Sequence, residues 1–325
     1  MENSIIKRQV ILAFFILILP FCGCAQVLQS RQTTLMGSVF EITIVAQDST
    51  LAQQHISAVI DEIERIENLI SEWRPHTQIS EVNRNAGIRP IKVDKEVFDL
   101  TARAIAYAEM THGAFDISII AMDKIWSFDG SMDTLPTAEA VQQSVQNVGY
   151  KFIILDSIQQ TIFLSKKGMK IGFGSIGKGY AADMGRALML HNHIPAGIVN
   201  ASGDIATWGT QPNGKPWAIG INNPFKNHRI LKTIKLTDGA IATSGSYEKY
   251  AEINGKRYAH IINPKTGYPA TGITSVTIYG PSAEYANALS TSVMVLGLIE
   301  GTELLKKNPT YKYVIQTDQG KVKKN

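Results

Sequence analysis

Ile171-Gly-Phe-Gly-Ser-Ile-Gly-Lys-Gly-Tyr-Ala-Ala-Asp183 places four glycines and one lysine directly ahead of a helical pattern. Glycine allows tight turns and close backbone approach, a helix start presents unpaired N–H groups, and Lys178 adds a positive charge beside them. A phosphorylated ligand is the first reading. Gly172, Gly174 and Gly177 spell G-x-G-x-x-G, but no acidic residue stands at the distance a doubly wound dinucleotide fold requires. Lys178 is followed by Gly179, where a Walker motif has Ser or Thr. The two common nucleotide-binding folds are thus disfavoured, and a glycine-rich strand-to-helix turn without a ligand accounts for the stretch equally well.

Working outward, residues 51–71 place Ile56, Val59, Ile60, Ile63, Ile66 and Ile70 at mostly three- and four-residue intervals, with acidic residues between them. That period predicts an amphipathic helix packed on a core. A second helix is expected from Asp94, as a side-chain cap, to just before Gly113, and a shorter one from Pro136-Thr137 to Gly149. Beyond it, residues 152–155, 161–164, 197–199, 217–221, 230–236 and 275–279 are short, mostly β-branched runs bounded by Gly, Asn, Asp or Pro, which read as strands. Two more helices are expected over residues 179–191 and 284–296. Strands in runs, with helices grouped rather than alternating, argue for an α+β fold.

A chain of 325 residues with 44% hydrophobic and 18% charged content has the composition of a globular protein with a sizeable core. The net charge of +4 is mild and no basic run is dense, so nucleic acid is not expected as a partner. Residues 1–23 differ from the rest: Lys7 and Arg8 precede an apolar run over 10–21, the pattern of a secretory signal peptide. Phe21-Cys-Gly-Cys24 resembles a lipobox, so lipidation of Cys24 is favoured over cleavage after Ala25. The expectation is a mature domain over 24–325, exported and lipid-anchored on the periplasmic face of a membrane. Cys22 and Cys24 are the only cysteines, so the folded part is expected to lack disulfides, a catalytic thiol and thiolate metal ligands.

Further islands stand in order along the chain: Met36-Gly-Ser; Ser71-Glu-Trp-Arg-Pro-His-Thr-Gln-Ile-Ser80 with Asn83; Gly113-Ala-Phe-Asp116; Asn200-Ala-Ser-Gly-Asp204; Ala242-Thr-Ser-Gly-Ser246; His260-Ile-Ile-Asn-Pro-Lys-Thr-Gly267; and Ala288-Leu-Ser-Thr-Ser-Val-Met-Val-Leu-Gly297. Together with the glycine-lysine stretch they resemble the ApbE family, the FAD:protein FMN transferases, over residues 34–297. The resemblance implies a T-fold-related, single α+β domain of mixed sheets with packed helices. It implies transfer of FMN from FAD to a threonine of an extracytoplasmic redox subunit carrying an Asp-Gly-x-Gly-x-Thr-like motif, with Mg²⁺ required and AMP released. It further implies FAD contacts at Met36, Trp73, Ala114, Phe115, Asp116, Gly172, Lys178, His260 and Ile261, Mg²⁺ ligands at Ser175, Asn287 and Thr291, and catalytic roles for Lys178, Asn287 and Thr291.

Individual residues also have plainer readings. Trp73 offers a broad face for a flavin, or is a core tryptophan. Asp116 contacts the ligand or caps a turn, and Asp204 equally fixes the turn after Gly203. The chain departs from the family pattern twice. Gly172 stands where many members have Asp, and Asn287 stands where the family has an Asp one helical turn before the metal-binding Thr. An amide oxygen ligates Mg²⁺ without negative charge and so binds it more weakly. Glu284, three residues earlier on the same helical face, is an alternative acidic ligand. Asn287 thereby supports a second function, an FAD-binding lipoprotein with little transfer; a third is a Mg²⁺-dependent FAD pyrophosphatase, with water in place of the threonine.

Overall fold

The computed structural model describes residues 26–226, 229–246 and 249–325. The expected signal segment and lipobox lie outside them. The chain opens with β1 (Val27–Leu35) and β2 (Ser38–Ala46), then α1 (Ser49–Ile70), α2 (Gln78–Arg84), β3 (Ile91–Lys92), α3 (Lys95–Met110) and α4 (Ala138–Ser144). Next come β4 (Ile153–Asp156), β5 (Thr161–Leu164), α5 (Gly177–His191), β6 (Ala196–Ala201), β7 (Asp204–Trp208), β8 (Trp217–Asn222) and β9 (Ile230–Leu236). It finishes with β10 (Gly239–Gly245), β11 (Tyr250–Ile253), β12 (Lys256–Ala259), β13 (Ile273–Gly280), α6 (Ala283–Lys306), β14 (Lys312–Thr317) and β15 (Val322–Lys324).

The framework is an eight-stranded antiparallel sheet in the order β1-β2-β6-β7-β10-β13-β14-β15. Helices α1, α5 and α6 lie side by side on it, α1 against β1 and β2, α5 against β6 and β7, and α6 against β10 and β13. The α1 isoleucine stripe is buried as its spacing predicts, except that Ile60 is only partly covered. On the opposite face the β8–β9 ribbon packs Ile221 and Ile234 against Ile205, Ile241 and Val314. Covered from both sides, β7 is buried at all five positions, so it shows no polar alternation. The arrangement is the expected α+β one.

Local departures have local causes. Asp94 precedes α3 without a side-chain capping bond, contrary to expectation, whereas Asp48 caps α1 through Leu51 N–H at 2.8 Å. Helix α4 stops at Ser144, short of Gly149. Helix α6 breaks at Gly297 (φ 77°, ψ −177°), the point where the sequence pattern ended it, and a second helical segment continues to Lys306. This helix is long and apolar enough to span a membrane, but it is packed against the sheet and α5 as a core element.

Candidate active site

The glycine-lysine stretch becomes a turn that delivers α5. Gly177 and Ile176 N–H groups donate to Phe173 C=O at 2.6 and 3.0 Å, and α5 begins with no side-chain cap, leaving its first amides facing the turn. Gly174 has open space where a side chain would stand. Gly179 does the opposite: a Cβ there would lie 2.6 Å from Ala283 C=O, so glycine lets α5 and α6 approach backbone to backbone. That crossing brings Lys178 on α5 into the same cleft as Asn287 and Thr291 on α6.

The cleft has two lobes joined at Gly174 and Lys178. The first, about 490 Å³, is built where β7 starts, β10 ends and β13 starts, and its polar lining includes Ser175, Asp204, Ser244, His260, Asn287 and Thr291. The second, about 600 Å³, is lined by Met36, Glu67, Trp73, Arg74 and Phe173. Each lobe is of the size that takes part of a dinucleotide. Trp73 is 80% exposed, which removes its reading as a core residue and leaves an indole face open to a planar ligand. Met36 sits at φ 50°, and its N–H donates to Glu67 Oε2 at 3.1 Å. Glu67 is in turn held by Arg74 at 3.0 Å, so the β1–β2 turn is tied to the end of α1. His260 is exposed at the cleft, its Nδ1 3.1 Å from Lys249 C=O, and Ile261 lines the cleft beside it.

In the first lobe, hydroxyls, an amide and a carboxylate form one network. Thr291 Oγ1–H donates to Asn287 Oδ1 at 3.3 Å, and Asn287 Nδ2–H donates to Asp204 Oδ2. Ser244 Oγ lies 2.8 Å from Ser290 Oγ and 3.3 Å from Thr291 Oγ1. Among the described residues no three His, Cys, Asp or Glu side chains come together as a metal site. Ser175, Asp204, Asn287 and Thr291 each offer an oxygen to this lobe, the donor type that suits a hard cation such as Mg²⁺ whose remaining ligands are water and phosphate.

The ApbE family model matches residues 36–315. The chain belongs to the ApbE family. A relative from Klebsiella pneumoniae (strain 342), an FAD:protein FMN transferase, is 29% identical over 286 residues, which cover 86% of this chain and 82% of that one. A Treponema pallidum (strain Nichols) relative of the same name is 27% identical over 297 residues, 86% and 82% of the two chains. Among solved structures, the ApbE protein of Thermotoga maritima matches with a TM-score of 0.84 at 30% identity, over 92% of this chain and 97% of that one. The flavin transferase ApbE from Vibrio cholerae matches with a TM-score of 0.80 at 25% identity, over 92% and 97%.

Of the residues that the ApbE pattern nominated, Met36, Trp73, Gly172, Ser175, Lys178, His260, Ile261, Asn287 and Thr291 line the cleft. Ala114, Phe115 and Asp116 do not. Ala114 and Phe115 are buried. Asp116 takes the capping role instead: Oδ1 accepts from Ser118 N–H and Oγ–H at 2.8 and 2.6 Å, and Oδ2 accepts from Tyr150 N–H at 2.7 Å. Burial still pushes its carboxyl above the ordinary range, against the pull of those donors. Glu284 likewise does not line the cleft. Arg103 holds both its oxygens at 2.8 to 3.2 Å and Tyr107 O–H donates to it at 2.8 Å, fastening α3 to the start of α6.

Gly172 also has a structural explanation. A Cβ there would meet Glu72 Cδ at 2.9 Å and Oε1 at 3.0 Å, so a carboxyl group from another segment already fills the space that the ApbE Asp would take. Burial raises the Glu72 carboxyl above its ordinary range. Sequence reading gave no site role to Glu72, although it stands beside Trp73 in an island it had singled out, nor to Glu67, which it placed only among the acidic residues of the α1 pattern. Asp204 was left equally open to fixing the turn after Gly203. That turn, with Ser202 at φ 56° and Gly203 at φ 102°, is closed by Asn200 Oδ1 accepting Gly203 N–H at 2.9 Å.

Proposed function

We propose that this chain is an FAD:protein FMN transferase that moves FMN onto a threonine hydroxyl of an exported redox subunit, using Mg²⁺ at the FAD pyrophosphate and releasing AMP. The observation that carries the reading is the two-lobed cleft hinged on Lys178, with an exposed indole in one lobe and an oxygen-donor network in the other. Family membership and relatives of that name support flavin transfer itself.

In this reading the flavin lies against Trp73 and the pyrophosphate spans Lys178 and the start of α5, whose amides and ammonium hold its charge. Ser175, Asn287 and Thr291 would hold Mg²⁺, which supplies charge neutralisation at the pyrophosphate oxygens. The acceptor threonine Oγ attacks the phosphorus on the FMN side, the bond from that phosphorus to the bridging oxygen breaks, AMP departs with that oxygen, and the hydroxyl proton is released. The signal segment supports an exported, lipid-anchored enzyme acting at the periplasmic face.

The test is intact mass of an Asp-Gly-x-Gly-x-Thr peptide after incubation with FAD, Mg²⁺ and either the wild-type protein or Asn287→Asp. An FMN adduct from the wild type is expected. No adduct from either protein refutes transfer. An adduct from the Asp variant alone favours the second reading, which Asn287 supports, that the natural protein binds FAD with little turnover; AMP formed without any acceptor would mark a pyrophosphatase.

A further inference from the structure

We infer that Asp204, at the start of β7, supplies the negative charge of the cation site, and that Asn287 is its neutral partner. The inference rests on the Mg²⁺ reading above and goes beyond it by naming the charged ligand. A site made of Ser175, Asn287 and Thr291 carries no charge of its own, and neutral oxygens hold a divalent ion weakly. Asp204 is only 4% exposed, yet it lines the same lobe and its Oδ2 accepts from Asn287 Nδ2–H. Burying a carboxylate is costly unless hydrogen bonds and a countercharge meet it.

Topology explains how a residue remote in sequence reaches α6. Ile241 of β10 pairs with Ile205 of β7, so the start of β7 lies beside the end of β10, where Ser244 stands beneath Thr291. Asn200 closes the β6–β7 turn, and the Asp204 carboxylate meets Asn287 of α6. The amide at 287 then has a reason. Its oxygen faces Thr291 and its nitrogen faces Asp204, an arrangement no carboxylate could make, since two carboxylates in contact repel. The negative charge of the site then lies on the sheet, at Asp204, and not on the helix.

The experiment is titration of the full-length protein with Mn²⁺, followed by the loss of its free EPR signal, with FAD present, alongside FAD binding by flavin fluorescence in metal-free buffer. Asp204→Asn is expected to weaken Mn²⁺ binding about tenfold or more. In metal-free buffer the same variant is expected to bind FAD as well as wild type or more tightly, because one charge repelling the pyrophosphate is gone. A structural role for Asp204 would weaken both, and that result overturns the inference, as does unchanged Mn²⁺ affinity.

Asn287→Asp guards against misfolding of the first variant. Two adjoining carboxylates should lower its metal-free melting temperature, and Mn²⁺ should raise that temperature more than it does for wild type; an equal or smaller rise counts against Asp204. FMN transfer by wild type in EDTA would remove the Mg²⁺ reading and this inference together. Cation-dependent transfer with Mn²⁺ affinity unaltered in Asp204→Asn would remove this inference alone.

Discussion

Gly179→Ala should destabilise the protein, although Gly→Ala inside a helix ordinarily stabilises by about 1 kcal/mol. The added Cβ would stand 2.6 Å from Ala283 O, 2.8 Å from Ala283 C and 2.9 Å from Glu284 N, all backbone atoms at the start of α6. Ordinary contact begins near 3.4 Å, so α5 and α6 must separate by about 0.8 Å. Overpacking costs about 1–3 kcal/mol, and with no flexible side chain to yield the upper end applies, leaving a net loss of about 2 kcal/mol after the propensity gain. For a domain of this size that lowers the melting temperature by roughly 3 °C. The same separation moves Lys178 away from Asn287 and Thr291, and misplacement near 1 Å lowers a rate by as much as about 100-fold. Thermal melting by circular dichroism and FMN transfer by intact mass measure the two effects. Gly185→Ala on the same helix is the control, because its Cβ meets only the side-chain ends of Val59 and Val199, at 3.0 and 3.2 Å. A melting temperature equal to or above wild type for Gly179→Ala would refute the reasoning.

Trp73→Ala should weaken FAD binding about tenfold, roughly 1.4 kcal/mol, while leaving the melting temperature unchanged because the ring is 80% exposed; equal FAD affinity in a fluorescence titration would exclude flavin stacking there. Asp116→Ala orphans two backbone N–H groups and one hydroxyl, and should cost about 3 kcal/mol in urea unfolding with FAD affinity unaltered. Burial raises the folded-state pKa of Glu72 above its unfolded value, so the native state holds this proton more strongly and stability falls as pH rises from the ordinary carboxylate range through the raised pKa. Glu72→Gln should therefore melt higher than wild type near neutral pH and converge with it in acid; a constant difference between the two melting curves across pH would contradict the assignment.

Some of this architecture was legible because it is periodic. The α1 isoleucines repeat with the helix and are buried together, and the β-branched run over 230–236 is β9 to the residue. Other elements carry no such signal. In β7 every position is buried because helices cover one face and the β8–β9 ribbon the other, so Asp204-Ile-Ala-Thr-Trp208 never alternates. In β1, exposed and partly covered residues alternate, but the sequence Val-Leu-Gln-Ser-Arg-Gln-Thr-Thr-Leu is too polar to mark a strand before its partner is known. The cleft was legible through the glycine-lysine stretch and Trp73, whose chemistry is local. Asp116 was not, because a capping carboxylate and a ligand carboxylate look the same until the donors around them are placed.

The sequence by itself determined the helical faces, the glycines where backbone comes close, and the ordered islands that mark an ApbE chain. Tertiary structure decided which polar groups meet. Asp204 and Asn287 lie 83 residues apart, and Arg103 and Glu284 lie 181 apart. The physical reason is that periodicity fixes which side of an element is buried, whereas its partner depends on strand register and helix crossing. The β7–β10 pairing and the α5–α6 contact at Gly179 set those here, and with them which carboxylate faces the cleft.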